Sequence, residues 1–584
     1  MRYNIKKFDA AVRYYKKNLA QEESKNLFVY GEINEAAFFS IAPLSRAVHE
    51  LNKDLNIYFY QNSETVDALF RVWATYAKMK SAVDNEATSA LKLFLDEVEK
   101  KTNTFSKIFK KPGLILRLSN NKFACDNKEL DLCPGWFVPY KSDKLKETSQ
   151  KIIKEVFNLK GGERFGIGFE LIPDKDFLEN PIEDYLDSFA ICFSMCFVSQ
   201  EIASSITLSS STKRKSMRMP PERVAELLTT LSGLELEKEI DEPVFQFYKS
   251  LSNVLKLSTI KNNDAVFYTR GKGYYGKHYF GETIGYPTKN KKSRWNYPSG
   301  IIYKFPWYPQ TKDEERDPIA RVGFTETPPL DVFIDSVNID YNEMRNKNKK
   351  ISEIIEGCEK IVVASKDKSN FEVDLIKGDG TRREVKGSDS DVRNKIDPRY
   401  LTHGLKVGMM ANIPGGESFL TPENVKGKII GDVVISIDKS YRLNTNEPIV
   451  IEASEKGYKI LSGNKEILKK IEQKKKEAWL TILEQEKNKS LPLEIVELKK
   501  KNFNNIGEFA INTNPNARLC DYLIINEKIA NMIHIALGSG FEPDKATEYH
   551  MDIVIDSPKQ RLDIYGKDKE GTKHWIIKQG NFVV

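Results

Sequence analysis

In the C-terminal third of this 584-residue chain, Glu417, Glu508, His534, His550 and Asp552 make a set of three carboxylates and two imidazoles. Oxygen and imidazole donors in that mix suit zinc, cobalt, manganese or iron in a catalytic site. Five such donors suffice for two divalent cations about 3.5–4 Å apart that share one carboxylate. The chemistry expected is hydrolysis of a peptide carbonyl by a water of lowered pKa, next to an anchored free α-amine.

These donors need rigid elements to hold them. In His550-Met551-Asp552-Ile553-Val554-Ile555 successive side chains of a strand alternate faces. His550 and Asp552 therefore project together while Met551, Ile553 and Ile555 face a core. Glu508 opens a second alternating stretch, with Glu508, Ala510 and Asn512 on one face. Residues 526–538 (NEKIANMIHIALG) predict a helix that carries His534, capped by Asn526 and ended by Gly538 or Gly540. Glu417 follows Pro414-Gly415-Gly416, where glycines permit positive φ and a close backbone approach. Taken singly, each Glu reads as a solvated charge and His534 as a core residue. The constellation gives them their weight.

Four segments in this region, NIPGGESFLTPENVKGK, IGEFAINTNPNA, NEK followed by HIALGSG, and the final His-x-Asp strand, stand in an order that resembles the aminopeptidase T type of metallopeptidases. The resemblance covers about residues 355–584. It implies a dinuclear metal aminopeptidase with Glu417, Glu508, His534, His550 and Asp552 as metal ligands. It also implies two divalent ions (Zn, Co or Mn, with Fe an alternative), short peptide substrates, a catalytic part for Glu417 and a homodimer. Three positions depart from the family pattern. Gly416 stands where many members have an acidic residue, Phe541 where many have a Tyr, and Asn526-Glu527-Lys528 where an Asp-Glu-Lys is usual.

Length and composition frame the rest. Apolar residues are 40% and charged residues 30% of the chain, and the formal net charge is +7. That excess is mild over this length and does not by itself argue for nucleic acid. No run of about eighteen apolar residues offers a bilayer span. The N-terminus lacks the apolar core of a signal peptide, so a cytoplasmic protein with no membrane partner is expected. Six cysteines include no CxxC pair, and Cys192 and Cys196 share one face of a helix, which suits a reducing compartment.

The predicted class is mixed α/β in three parts. Residues 1–210 alternate strand and helix, which suggests a largely parallel sheet. Strands are expected at 27–31 and 57–60, and helices at 32–55, bent or broken at Pro43, and at 63–79. Residues 211–350 form a middle segment, helical at 222–255 and then rich in aromatic and basic residues. Its GKGYYG at 271–276 matches GxGxxG but no helix follows to hold a phosphate. Its interleaved Tyr, Trp, Lys and Arg read as a β-rich surface rather than a single-strand nucleic-acid site. Residues 351–584 form the metal-binding part, with a long helix at 465–487 whose stripe is Leu468, Ile471, Ala478, Trp479, Ile482 and Leu483.

Two other readings compete with hydrolysis. His534, His550 and Asp552 alone make the two-His-one-carboxylate set of non-haem Fe(II) oxygenases, and ring-cleaving 2,5-dihydroxypyridine dioxygenases look similar to the peptidase family. The third reading is a non-catalytic binding protein on a peptidase scaffold, suggested by Phe541.

Overall fold

The computed structural model describes residues 3–60 and 114–211 with short gaps, and 329–584 apart from 394–409 and 490–492. Between 212 and 328 it describes four strands only. The expected helices at 63–79 and 222–255 and the GxGxxG stretch lie outside the described residues. The class is mixed α/β, and the chain divides into two compact units.

The first unit takes residues 1–270 with 306–310 and 318–322. Its elements are α1 (Ile5–Leu19), β1 (Asn26–Glu32), α2 (Glu35–Glu50), β2 (Asp54–Tyr60), β3 (Leu114–Ser119), β4 (Lys122–Cys125), β5 (Lys128–Asp131), α3 (Ser142–Lys151), β6 (Arg164–Glu170), α4 (Ile182–Ser199), β7 (Ser205–Ser211) and β8 (Asp264–Arg270). The strands run in the order β8-β6-β7-β2-β1-β3-β4-β5. β1 pairs parallel with β2 and β3, and β6 pairs parallel with β7 and β8. β2/β7, β3/β4 and β4/β5 are antiparallel, so the sheet is mixed where a largely parallel one was expected. At one edge the reason is local, since hairpins join β3, β4 and β5 and a hairpin reverses the chain; β2 and β7 are far apart in the chain. The sheet also takes in β8, well beyond residue 210. Helix α2, capped by Asn34, starts at Glu35, three residues after the predicted start, and continues through Pro43 to Glu50. Helix α4 buries Cys192 and Cys196 as free thiols.

In the second unit, β9 (Thr283–Ile284) pairs antiparallel with β10 (Ile302–Tyr303), and β11 (Ala320–Glu326) begins in residues of the first unit and ends in those of the second. Helices α5 (Leu330–Val337) and α6 (Tyr341–Glu356) follow. The next strands are β12 (Lys360–Ala364), β13 (Asn370–Asp374), β14 (Val385–Ser388), β15 (Met410–Asn412), β16 (Glu417–Leu420), β17 (Asn424–Gly431), β18 (Val434–Ser436), β19 (Ser440–Arg442), β20 (Ile449–Ser454) and β21 (Gly457–Ser462). Then come α7 (Lys465–Lys487), α8 (Leu493–Lys501), β22 (Ile506–Asn512), α9 (Leu523–Asn526), β23 (Ile533–Gly538), β24 (His550–Ile555), α10 (Ser557–Gln560), β25 (Asp563–Lys567), β26 (Lys573–Lys578) and β27 (Asn581–Phe582).

Two antiparallel sheets organise this unit. One has the order β21-β20-β17-β13-β12-β25-β26-β27, the other β14-β16-β22-β23-β24-β18-β19. One apolar core lies between them, taking Ile361, Phe371 and Ile451 from the first and Phe509, Ile535 and Ile553 from the second. Alternation then decides everything on the second sheet. With Phe509, Ile511, Ile533, Ile535, Met551 and Ile553 turned into the core, the intervening side chains must face the other way. Those side chains include Glu508, His534, His550 and Asp552.

Two expectations need correction. His534 lies on strand β23, not on a helix over 526–538. Asn526 ends the short α9, with its side chain bonded to the Cys520 backbone on both sides at 2.8 and 2.7 Å. The segment that follows is Ile-His-Ile-Ala, whose β-branched residues suit a central strand between β22 and β24. A short apolar run has no period long enough to separate the two outcomes. In α7, at the bounds expected, Ile471, Ala478 and Ile482 are buried, while Trp479 and Leu483 of the predicted stripe are exposed. Among the described residues no helix is long and apolar enough to cross a membrane.

Candidate metal centre

All five residues singled out in the sequence meet on one face of the second sheet. Glu417 comes from β16, Glu508 from β22, His534 from β23, and His550 and Asp552 from β24. The register explains the meeting. Glu417 stands opposite Asn512, Glu508 opposite Ala536, Ala536 opposite Asp552, and Ala510 opposite His534. Small Ala510 and Ala536 thus sit between the long donors and leave room beside them. Glu417 is delivered by the loop before β16. Gly416 has φ of 132°, and a Cβ there would meet Asn514 Cβ at 2.6 Å, so only glycine lets the chain turn the carboxylate inward.

The donor atoms form two overlapping triads. Glu417, Glu508 and His534 offer ligand atoms within 4.8 Å of one another, and so do Glu508, His550 and Asp552. Glu508 belongs to both: its Oε1 lies 3.4 Å from His534 Nε2 and its Oε2 lies 3.2 Å from His550 Nε2. Asp552 Oδ1 is 3.0 Å from His550 Nε2, and Glu417 Oε2 is 3.6 Å from His534 Nε2. All of these side chains are buried.

The surroundings orient both rings. His534 Nδ1 is 2.8 Å from Asn512 Oδ1, and His550 Nδ1 is 2.8 Å from the Ser539 carbonyl. Oxygen acceptors at both Nδ1 atoms place the proton there and leave Nε2 free to ligate, the usual outer support of a metal-bound histidine. Glu417 Oε2 and Asp552 Oδ1 are buried with no hydrogen-bond donor. A buried carboxylate oxygen without a donor is costly unless a cation serves it. The residues present therefore fit a divalent metal ion.

Two neighbours were not singled out as site residues. Glu527 groups with His534 and Asp552 within 4.8 Å. Lys528, buried, reaches Glu417 Oε1 at 2.5 Å and Glu527 Oε1 at 3.0 Å. In the sequence they form an adjacent Glu-Lys pair of the kind found on any surface, and no spacing marks them as interior. Burial exposes the role: Lys528 is a fixed cation among Glu417, Glu508, Glu527 and Asp552. With neutral imidazoles this leaves a net charge of about −3 inside the protein.

The metal-free protein handles that charge with protons. Burial disfavours a charged His534, yet Glu508, Glu417 and Asp552 outweigh it and lift the ring to about 9. His550 rises well above its ordinary value against its burial, through Asp552 and Glu508. Burial pushes Glu508 up, but the two imidazoles more than offset this and hold it at about 2. Glu527 goes the other way. Burial raises it, Lys528 opposes, and Asp552 and Glu417 add to the rise, to about 8. Burial likewise raises Glu417 despite Lys528 and His534.

Phe541 borders the site. Its ring stands edge-on to His550 at 5.4 Å and to Phe419 at 5.2 Å. It presents an apolar edge where a tyrosine would present a hydroxyl.

No family model and no curated protein matches the chain. Among solved structures it is similar to the 2,5-dihydroxypyridine dioxygenase of Pseudomonas putida KT2440, at TM-score 0.42 and 11% identity over 76% of this chain and 99% of that one. A likeness of that degree carries no argument about function.

Proposed function

We propose that the chain is a metal-dependent hydrolase that holds two divalent cations and removes N-terminal residues from short peptides. The observation that carries the metal count is Glu508, shared by two triads that each contain one imidazole. Four carboxylates against one lysine leave the site short of positive charge, which favours a bound cation. Held there, cations would supply a water of lowered pKa and polarise a carbonyl oxygen.

The chain's own residues do the rest. Glu508 spans the two triads. Asn512 and the Ser539 carbonyl hold protons at Nδ1 and so keep each Nε2 directed inward. Lys528 pins one oxygen of Glu417 and leaves the other toward His534. Phe541 and Phe419 keep water from one side of His550. The choice of a peptide N-terminus rests on the resemblance of the four ordered segments to aminopeptidase T type enzymes, which also suggests a homodimer. In the Fe(II) dioxygenase reading His534, His550 and Asp552 would hold one ion. The grouping with Glu508 between the imidazoles speaks for two.

The test is a metal count per chain together with hydrolysis of aminoacyl-anilides and dipeptides, before and after chelation. Two zinc, cobalt or manganese ions with chelator-sensitive hydrolysis are expected. One iron with oxygen consumption would replace hydrolysis by the dioxygenase reading. Bound metal with no turnover of any substrate would leave a binding protein.

A further inference from the structure

The connection from β23 to β24 runs from Ser539 to Tyr549. It is long for a hairpin joining adjacent antiparallel strands, and loops of this length are loose unless something ties them down. This one matters, because its Ser539 carbonyl accepts from His550 Nδ1 and its Phe541 ring stands against His550. What ties it down is a buried guanidinium from a distant part of the chain. Arg383, only 1% exposed, lies just before β14.

Arg383 spends every N–H it has on three carboxylates. Its Nε donates to Glu423 Oε2 at 3.1 Å, and Nη2 donates to the same oxygen. Nη1 donates to Glu542 Oε2 and Asp544 Oδ1, each at 2.8 Å, and Nη2 to Asp544 Oδ2 at 2.7 Å. Glu542 and Asp544 belong to the β23–β24 loop, and Glu423 to the turn between β16 and β17. Lys377 adds a second cation to Glu542 at 2.8 Å, and Lys545 donates to the Glu423 carbonyl at 2.7 Å. From the same β16–β17 turn, Thr421 Oγ1 accepts the backbone N–H groups of Phe541 at 2.9 Å and Glu542 at 3.1 Å. The loop is thus gripped at Phe541 and just after it, by a hydroxyl and by a planar fork whose geometry a lysine cannot copy.

We infer that Arg383 is a positioning residue for His550: by clamping the β23–β24 loop through Glu542 and Asp544, it fixes the carbonyl that orients the ring and the aromatic edge beside it. The effect on metal binding rests on the dinuclear reading above; the effect on the loop and on the ring does not.

The experiment compares Arg383→Met and Arg383→Lys with Ile451→Val, a core change in the other sheet, all in the full chain. Zinc affinity is read by competition with a chromophoric chelator. The His550 ring nitrogens are read by 15N NMR of histidine-labelled protein, which has six histidines to assign. Amide exchange of 539–549 is read in metal-free protein. Arg383→Met is expected to weaken zinc binding by about 10–100-fold, to shift the His550 Nδ1 resonance as its hydrogen bond to the Ser539 carbonyl loosens and to speed loop exchange. Arg383→Lys recovers part of each. Ile451→Val lowers the thermal midpoint and moves none of the three. Wild-type loop exchange with an unshifted His550 Nδ1 resonance in Arg383→Met would overturn the inference. If Arg383→Met does not fold, Asp544→Asn, at the more exposed end of the same clamp, is read against the same criteria. If the unaltered protein binds no zinc, the metal reading fails, and loop exchange and the His550 Nδ1–H hydrogen bond still decide the clamp.

Discussion

Two clusters of charge in the second unit, one around Arg383 and one around Glu508, are built on opposite principles. Around Arg383, three cations (Arg383, Lys377, Lys545) meet three carboxylates (Glu423, Glu542, Asp544), and the guanidinium has a partner for each donor. Around Glu508, four carboxylates meet one lysine, and two carboxylate oxygens have no donor. A closed cluster is complete as folded and serves to hold a loop. An open one is a standing deficit of positive charge, and folding leaves it for a ligand to fill. The difference shows how a buried ionic group is read: by its unmet valence rather than by its burial.

The largest effect that would sharpen this contrast lies at Glu508. Glu508→Gln removes the shared ligand, so metal content by mass spectrometry should fall from two per chain to one or none and hydrolysis should drop below detection. Full activity in that variant would break the assignment.

Next comes the closed cluster. Arg383→Met removes the cation shared by three carboxylates, although Glu542 keeps Lys377 and Glu423 keeps Lys545, and should cost about 3 kcal/mol in urea unfolding of metal-free protein. A loss below about 1 kcal/mol would mean that the clamp carries little.

The open cluster should behave in the reverse sense with pH. The His534 value of about 9 lies above its ordinary 6.5, so its contribution to metal-free stability is whole below pH 6.5 and is lost as pH rises through 9. Glu527, raised from 4.5 to about 8, adds a loss over pH 4.5–8. The thermal midpoint of metal-free protein should therefore fall between about pH 6.5 and 9. Metal affinity should rise over the same window, because binding must expel protons from Nε2. A midpoint that climbs with pH in chelator would contradict the scheme.

The smallest effect is at Glu527. Glu527→Gln removes one unbalanced charge and should stabilise the metal-free protein at pH 8 by about 1 kcal/mol, where the same change in a closed cluster destabilises. Calorimetry in chelator reads the sign.

How much of this was legible beforehand differs from residue to residue. The projection of His550 with Asp552, and of Glu508 with Ala510 and Asn512, followed from alternation along apolar strands. The helix α7 was legible at its full length because twenty-three residues carry several periods, although its exposed Trp479 and Leu483 were not. His534 was placed on the wrong element because Ile-His-Ile-Ala satisfies strand and helix patterns alike. Lys528 and Glu527 were seen only as the unchanged part of a motif that departs at Asn526, and Arg383 was not seen at all. Its partners lie 40, 159 and 161 residues away, and no local pattern announces a pairing at that range.

The amino-acid sequence by itself determined which donors exist, which faces of two strands they share and how glycines free the backbone at Glu417, because those properties come from side-chain chemistry and the two-residue repeat of a strand. Only the tertiary structure decided that four strands bring these donors into two triads, that Lys528 stands among them, and that Arg383 closes a second cluster next door. Register across a sheet is set by which apolar faces reach the common core, and that is a property of the packed whole.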